Sequence, residues 1–370
     1  VKQMVNAFEN ASKLQKAVIV HVCTKKGKGY LPAENDPSAF HGVAPFKPSD
    51  GSLKNKEKQL TYTSVFSKKL VELADKDEEI TAISAAMPSG TGLNAMAVKY
   101  PDRFFDVGIA EEHAVTFAAG MAASGMKPVV AIYSTFFQRA YDQILHDVCI
   151  GKLPVVFAVD RAGLVGSDGE THQGIFDISY FNSMPNMTLM APKNVWELEK
   201  MLEFAVDFNG PVAVRYPRGK AYTGLDEFTQ DIEYGKSELI SSGDDTALIA
   251  VGSMVETAEE VKRILDDRGI SVTIVNARFI KPLDEDMLSE IVNTHRFIVT
   301  MEEGVLTGGF GQSVSHWCQE NAEVMPAVKN IALPDKFIEH GSVEMLKKKY
   351  EIDAAGIAEK IIDWRQHERA

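Results

Sequence analysis

Two short apolar runs decide the fold: Val129–Tyr133 reads Val-Val-Ala-Ile-Tyr, and Leu153–Asp160 reads Leu-Pro-Val-Val-Phe-Ala-Val-Asp. Each run is apolar at successive positions rather than at alternate ones, so we predict strands that are buried on both faces. The intervening Arg139–Ile150 is predicted to be a helix. Strands buried on both faces that alternate with helices are typical of a parallel sheet covered on both sides, and therefore of an α/β fold.

The same alternation of helices and buried strands extends outward from these runs. It is interrupted near Gly235 and then starts again, which divides the chain at that point. We therefore predict two doubly wound parallel-sheet domains, one over residues 59–235 and one over residues 236–370. The other predicted strands are Glu79–Ala85 and Pro211–Arg215 in the first domain, and Thr246–Val251, Val272–Asn276, Phe297–Met301 and Val328–Leu333 in the second.

Residues 1–58 do not contain enough elements for a complete domain. They carry one strand candidate, Ala17–Val22, and a lone strand cannot bury both of its faces. Residues 47–60 are polar and contain Pro, Gly, Ser and several Lys, which is typical of an exposed linker. From the residues alone we expect the end of a helix, one strand and an exposed linker, and we expect the start at Val1 to follow a missing upstream segment.

Composition and charge exclude several classes of function. The chain has 39 Lys and Arg against 52 Asp and Glu, a net charge of −13, which repels nucleic acids and anionic membranes. No apolar run approaches the ~20 residues that cross a bilayer, and no signal peptide is recognisable. The three cysteines are far apart, which argues against a disulfide framework or a zinc site and indicates a reducing cytoplasm.

A carboxylate follows one predicted strand, at the edge where open parallel sheets bind ligands. Glu111 comes after Asp106–Ala110 and begins an apolar helix. An acid at this position can simply stabilise the helix N-terminus through the helix dipole, and composition alone favours that interpretation. Alternatively, Glu111 is partly desolvated between Ala110 and the apolar helix and shares a proton with a ligand nitrogen.

Further candidates follow the neighbouring strands. Phe136 belongs either to the core or to a loop that stacks on a heteroaromatic ring. Asp168 and His172 lie in a glycine-rich loop and either transfer protons or form a turn with a surface histidine. Arg161 and Arg218 follow two strand ends, where they form either a forked site for a phosphate dianion or separate surface salt bridges.

These strand-end segments resemble one known family. The resemblance is to 1-deoxy-D-xylulose-5-phosphate synthase, a thiamine diphosphate-dependent relative of transketolase, and it runs over essentially all 370 residues. It implies transketolase-like pyrimidine-binding and C-terminal domains for the two predicted units. It further implies that residues 1–58 are the tail of a third α/β domain, the diphosphate-binding domain, with a linker. The segments that carry it are Asp106–His113, Tyr133–Phe136, Asp160–Gly174, Thr24–Tyr30, Phe40–Val43 and Arg215–Gly219.

The resemblance implies a transferase that joins pyruvate to D-glyceraldehyde 3-phosphate, with loss of carbon dioxide, to give 1-deoxy-D-xylulose 5-phosphate. It implies that Glu111 hydrogen-bonds a ring nitrogen of the cofactor's aminopyrimidine through a carboxyl group that is not salt-bridged, and that Phe136 stacks on the same ring. Lys26 corresponds to a lysine near the cofactor diphosphate and His41 to a histidine near the reacting carbon. Arg139 is expected to line the site.

The same resemblance assigns roles to the loop residues. Tyr133, Arg161 and Arg218 are expected to bind the phosphate of the aldehyde, which places a local positive site in an acidic protein. Asp168 and His172 are expected to handle protons and to orient pyruvate.

The chain departs from the family in one respect. We find no Gly-Asp-Gly block of the kind that holds Mg²⁺ against the cofactor diphosphate, so we expect the magnesium ligands in a missing N-terminal domain, supplied in cis or in trans. We expect a homodimer and an inactive isolated chain. The alternatives are a split transketolase, a 2-oxo acid dehydrogenase beta-type subunit and a non-catalytic dimerisation fragment. Lys26, His41 and the Asp168–His172 loop favour the synthase over the other enzymes.

Overall fold

A computed structural model of the chain describes residues 1–37, 39–43, 45–52, 59–166 and 168–369. The backbone divides into two units, residues 1–59 and residues 60–370. Part of the predicted linker, residues 53–58, lies outside the described residues, and so does residue 167 of the glycine-rich loop.

The first unit has helices but no strand among its described residues. Its helices are α1 (Lys2–Ser12) and α2 (Leu31–Asn35). The strand predicted at Ala17–Val22 is wrong: this run is irregular, and Ile19 is 95% exposed. The physical reason is that a strand needs a partner for its backbone groups, and the described part of this unit offers none.

The second unit contains two mainly parallel sheets, which confirms the predicted pair of α/β domains. The strands are β1 (Ile80–Ser84), β2 (Phe104–Asp106), β3 (Lys127–Tyr133), β4 (Val156–Asp160), β5 (Thr188–Met190), β6 (Val212–Tyr216), β7 (Glu238–Ser241), β8 (Thr246–Ala250), β9 (Val272–Asn276), β10 (Phe279–Lys281), β11 (Phe297–Val305) and β12 (Ala327–Leu333). The seven-stranded sheet has the order β10-β5-β6-β4-β3-β1-β2, and the five-stranded sheet has the order β12-β11-β8-β9-β7.

Each sheet ends in an antiparallel edge strand that the prediction of purely parallel sheets did not include. β7 pairs antiparallel with β9, and β10 pairs antiparallel with β5. Because β10 follows β9 in sequence, a short segment of the second domain completes the sheet of the first. The two domains of this unit are therefore joined by backbone pairing as well as by side chains.

Helices cover both sheets. The predicted helix at Arg139–Ile150 is interrupted, since it divides into a 3-10 turn at Gln138–Ala140, a short α-helix and a π-helix at Ile144–Cys149. The α-helices of the second unit are α3 (Tyr62–Lys76), α4 (Asn94–Lys99), α5 (Glu111–Ala123), α6 (Ser134–Phe137), α7 (Tyr141–Gln143), α8 (Asp177–Asn182), α9 (Val195–Asp207), α10 (Met254–Asp266), α11 (Glu285–Thr294), α12 (Phe310–Asn321), α13 (Val343–Lys349) and α14 (Ala354–Arg369).

A buried ionic cluster lies between the two sheets. Arg278 donates to Glu197 at 2.8 Å and to Glu238 at 2.7 Å, and Lys193 pairs with the same two carboxylates at 3.1 and 2.7 Å. Asn276 donates a further hydrogen bond to Glu197 at 2.9 Å. The two cations balance the two anions, so the charges are compensated in a site away from water. None of the described helices is long and apolar enough to cross a membrane.

Candidate active site

The strand register brings Tyr133 and the loops that carry Arg161 and Arg218 to one edge of the seven-stranded sheet. Tyr133 of β3 lies opposite Asp160 of β4, which in turn lies opposite Tyr216 of β6. All three residues are the last of their strands, so the loops that follow leave the sheet side by side at its carboxyl edge. Open parallel sheets bind ligands at this edge.

Glu111 is the first residue of α5 and is only 2% exposed. Its Oε2 accepts a hydrogen bond from Arg139, whose side chain is 44% exposed. The predicted burial is confirmed. The expectation of a carboxyl without a salt bridge is wrong in this structure, because the 3-10 turn after α6 carries Arg139 back to the start of α5.

Phe136 lies among aromatic partners at the centre of the site. Its ring stacks on Tyr133, with centroids 5.8 Å apart, and meets His172 edge to face at 5.4 Å. The Arg161 guanidinium lies over the Tyr133 ring, 3.6 Å from its centroid. Phe136 is therefore half-buried between an arginine-stacked tyrosine and a histidine.

Arg161 is held from several sides. Its Nη1 donates to the Gly90 carbonyl at 2.8 Å and lies 3.5 Å from Asp160 Oδ1. Its backbone has φ 61°, a left-handed conformation that is unfavourable for a residue with a side chain. Gly90 is required beside it, since a Cβ there would lie 1.7 Å from the Tyr133 hydroxyl.

Asp160 is a buried carboxylate to which sequence reasoning assigned no role. Thr63 Oγ1 donates to its Oδ2 at 2.9 Å, and burial raises the pKa of Asp160 to about 6. The sequence signal that could have identified Asp160 is its position, because it is an acid that ends an otherwise apolar strand. It supports Arg161, which follows it directly.

Asp168 and His172 share a loop but have different partners. Asp168 accepts from Arg218 at 2.8 Å, at the surface. His172 Nδ1 lies 2.8 Å from the Thr171 hydroxyl. Burial raises the pKa of the Tyr133 phenol, and the nearby charges of Arg161, Arg218 and Asp168 also act on that pKa.

Lys26 and His41 belong to the first unit, where the structure brings them together. Lys26 Nζ lies 3.0 Å from His41 Nδ1, and both side chains are exposed. Among the described residues of the whole chain, no group of three or more His, Cys, Asp or Glu is arranged to hold a metal ion.

Two family models match the chain, one for each sheet. Residues 58–223 match the transketolase pyrimidine binding domain and residues 235–357 match the transketolase C-terminal domain. The chain therefore carries two domains of the transketolase family.

Within that family, the chain is similar to 1-deoxy-D-xylulose-5-phosphate synthases, which confirms the resemblance found in the sequence. It is 56% identical over 362 residues to the synthase of Lachnoclostridium phytofermentans and 50% identical over 369 residues to that of Halothermothrix orenii. The matches cover 98% and 99% of this chain and 58% of each relative. The chain thus spans less than two thirds of the length of these relatives.

Solved structures show the same fold. A structure described as a split gene transketolase, an inactive β4 tetramer, has a TM-score of 0.73 at 27% identity; the match covers 82% of this chain and 98% of that one. The transketolase of Campylobacter jejuni has a TM-score of 0.68 at 19% identity, over 83% of this chain and 47% of that one. The second likeness concerns the fold alone.

Proposed function

We propose that this chain is part of an enzyme that condenses pyruvate with D-glyceraldehyde 3-phosphate, releasing carbon dioxide, to give 1-deoxy-D-xylulose 5-phosphate. The observation that carries the proposal is the meeting of a buried acid, an aromatic ring and two arginines at one sheet edge. The acid is Glu111 and the ring is Phe136, while Arg161 and Arg218 supply the positive charge.

The residues present fit the pyrimidine half of thiamine diphosphate. Glu111 would hold a ring nitrogen, because a buried carboxyl group stabilises a proton shared with nitrogen. Phe136 would lie against the ring, since it is an aromatic side chain that is only half-buried. In this structure Arg139 forms a salt bridge with Glu111. Because the Arg139 side chain is partly exposed, it can move away when a ring nitrogen of the cofactor binds Glu111 instead. When bound, thiamine diphosphate supplies the carbon nucleophile for pyruvate.

The arginines fit the phosphate of the acceptor aldehyde. Arg161 is immobilised by Tyr133, Gly90 and Asp160, so little side-chain entropy is lost when it binds a dianion. Arg218 would exchange the Asp168 carboxylate for the phosphate. Asp168, released in this way, would then handle protons together with His172 of the same loop and orient pyruvate.

The remaining parts of the proposal concern the rest of the enzyme. We place Mg²⁺ and the diphosphate of the cofactor with residues of an N-terminal domain supplied in cis or in trans, with Lys26 and His41 at its border. We further propose a homodimer, a cytoplasmic location and an isolated chain without activity. A split enzyme is the second candidate, because 98% of the solved split gene transketolase chain is matched by this fold.

A product assay tests the proposal. The protein in its natural length, supplied with thiamine diphosphate and Mg²⁺, is expected to convert labelled pyruvate and D-glyceraldehyde 3-phosphate into 1-deoxy-D-xylulose 5-phosphate. The Glu111→Gln variant is expected to lose this activity, whereas Glu112→Gln, its neighbour on α5, keeps it. Ketol transfer between sugar phosphates without use of pyruvate would instead support the split transketolase.

A further inference from the structure

The loop that follows β4 is fixed by a carboxylate of the other domain. We call residues 161–174 the Arg161 loop; of these, 167 lies outside the described residues. Glu303, near the end of β11, is buried, and its Oε1 accepts a hydrogen bond from the Leu164 backbone N–H at 2.7 Å. Residue 303 is 139 positions away in sequence, so this bond ties the C-terminal domain directly to the loop that carries Arg161.

Glu303 is itself held by a second set of partners. Lys347 Nζ of α13 lies 2.8 Å from its Oε2, and Ser253 Oγ donates to the same atom at 3.3 Å. Arg215 of β6 donates to the Glu303 backbone carbonyl at 3.3 Å and pairs with Asp177. Both carboxylate oxygens are therefore occupied, and the side chain has a single supported position.

The loop backbone fits closely against this carboxylate. Gly163 has φ +77°, and a Cβ at this position would lie 2.6 Å from Glu303 Oε1. Gly163 also exchanges two backbone hydrogen bonds with Gly174, at 2.6 and 2.8 Å, which closes the base of the loop. The loop and the carboxylate can approach this closely only because residue 163 is glycine.

A second contact from the same domain holds the far side of the loop. Gln173 accepts from the Val165 N–H at 2.8 Å and donates to the Glu339 carbonyl at 3.1 Å. The Gly341 N–H donates to the Gly166 carbonyl at 3.4 Å. Contacts at Leu164, Gly166 and Gln173 therefore hold the loop on both sides of Asp168 and His172.

We propose that Glu303 is a positioning residue of the C-terminal domain that sets the geometry of the Arg161 loop, and thereby the affinity for the phosphorylated aldehyde. The effect on the affinity for the aldehyde rests on the proposed function, whereas the effect on the geometry of the Arg161 loop does not. Removal of the carboxylate leaves the Leu164 N–H without its acceptor and Lys347 without its anion, both in buried surroundings. The loop is then expected to open locally.

Hydrogen exchange on this chain tests the structural part without any assumption about activity. In Glu303→Ala, peptides that contain Leu164 and the Arg161 loop are expected to exchange about tenfold faster than in the wild type. The matched control is Glu302→Gln, because Glu302 is the adjacent buried acid and its oxygens accept from Phe310 and Gly311 of α12 instead. Equal exchange of the loop in wild type and Glu303→Ala overturns the inference.

Steady-state kinetics on the protein in its natural length test the consequence. Glu303→Gln is expected to raise the KM for D-glyceraldehyde 3-phosphate about tenfold while kcat and the KM for pyruvate change less than about threefold. A fall in kcat with an unchanged KM overturns the positioning role. If Glu303→Ala does not fold, Lys347→Met keeps the carboxylate and removes its partner, and the same two readouts decide. A wild type that makes no product refutes the proposed function, and hydrogen exchange still decides the positioning role.

Discussion

The apolar runs Ala17–Val22 and Val129–Tyr133 look alike in sequence and differ completely in structure. The first is irregular, with Ile19 exposed; the second is a central strand, in which Val129 to Ile132 are buried. The difference is that the second run pairs with β1 and β4, whereas the described part of the first unit contains no strand. An apolar run therefore forms a strand only where another strand can pair with its backbone.

The same difference separates the two halves of the predicted site. Glu111 and Arg161 each have fixed protein partners and lie at a sheet edge, while Lys26 and His41 are exposed and contact each other. The half built on residues 60–370 is preorganised by burial. Substitutions in that half are therefore expected to cost far more than equivalent substitutions in residues 1–59.

The largest expected loss of stability comes from the ionic cluster. Arg278→Met leaves two buried carboxylates with one cation, and we expect the free energy of unfolding to fall by about 3–5 kcal/mol. In the first unit, Lys25 pairs with Glu34 at 2.7 Å but is mostly exposed. Lys25→Met is expected to change stability by less than about 1 kcal/mol. Urea unfolding of each variant measures both values, and similar losses would refute the comparison.

The two apolar runs offer a direct test. Ile132→Ala removes three buried carbons from the centre of β3 and is expected to cost about 2–5 kcal/mol. Ile19→Ala changes an exposed side chain and is expected to cost less than about 0.5 kcal/mol. The check is again the denaturant midpoint. A large loss for Ile19→Ala would mean that this run is packed against a partner in solution.

Glu302 predicts a pH dependence of stability. Burial raises the pKa of Glu302 from 4.5 to about 7. Between these pH values the unfolded chain loses the proton while the folded chain retains it, so the contribution of Glu302 to stability falls as pH rises. Above pH 7 the raised pKa lowers the free energy of unfolding by about 3 kcal/mol, and below pH 4.5 it has no effect on stability. The difference in unfolding free energy between wild type and Glu302→Gln, followed from pH 4 to 8, measures it; a flat difference contradicts the account.

A smaller effect compares two conservative exchanges. Arg161→Lys keeps the charge but loses the planar group that stacks on Tyr133, and we expect the KM for D-glyceraldehyde 3-phosphate to rise about tenfold. Lys26→Arg also keeps the charge, in an exposed pair, and is expected to change this KM less than about twofold. Initial rates at varied aldehyde concentration measure both values. A larger effect for Lys26→Arg would reverse the ranking of the two halves.

The sequence allowed the fold class and the strand-end residues to be predicted because both depend on local patterns. An apolar run such as the one that ends at Val159 in β4 is visible in the sequence, and so is the polar loop that follows this strand. The pattern did not reveal the short edge strands β7 and β10, since their pairing depends on distant partners. The contacts of Glu111 with Arg139 and of Leu164 with Glu303 were missed for the same reason. The roles of the site residues stay predictions.

The most direct test of the account compares an acid with an arginine in one enzyme. In the protein of natural length, kcat and KM are measured for Glu111→Ala and Arg218→Ala with pyruvate and D-glyceraldehyde 3-phosphate. We predict that Glu111→Ala lowers kcat about a thousandfold, whereas Arg218→Ala raises the KM for the aldehyde about tenfold and leaves kcat within about threefold. Equal losses of kcat in the two variants would contradict the division of the site into an acid that serves the cofactor and arginines that bind the phosphate.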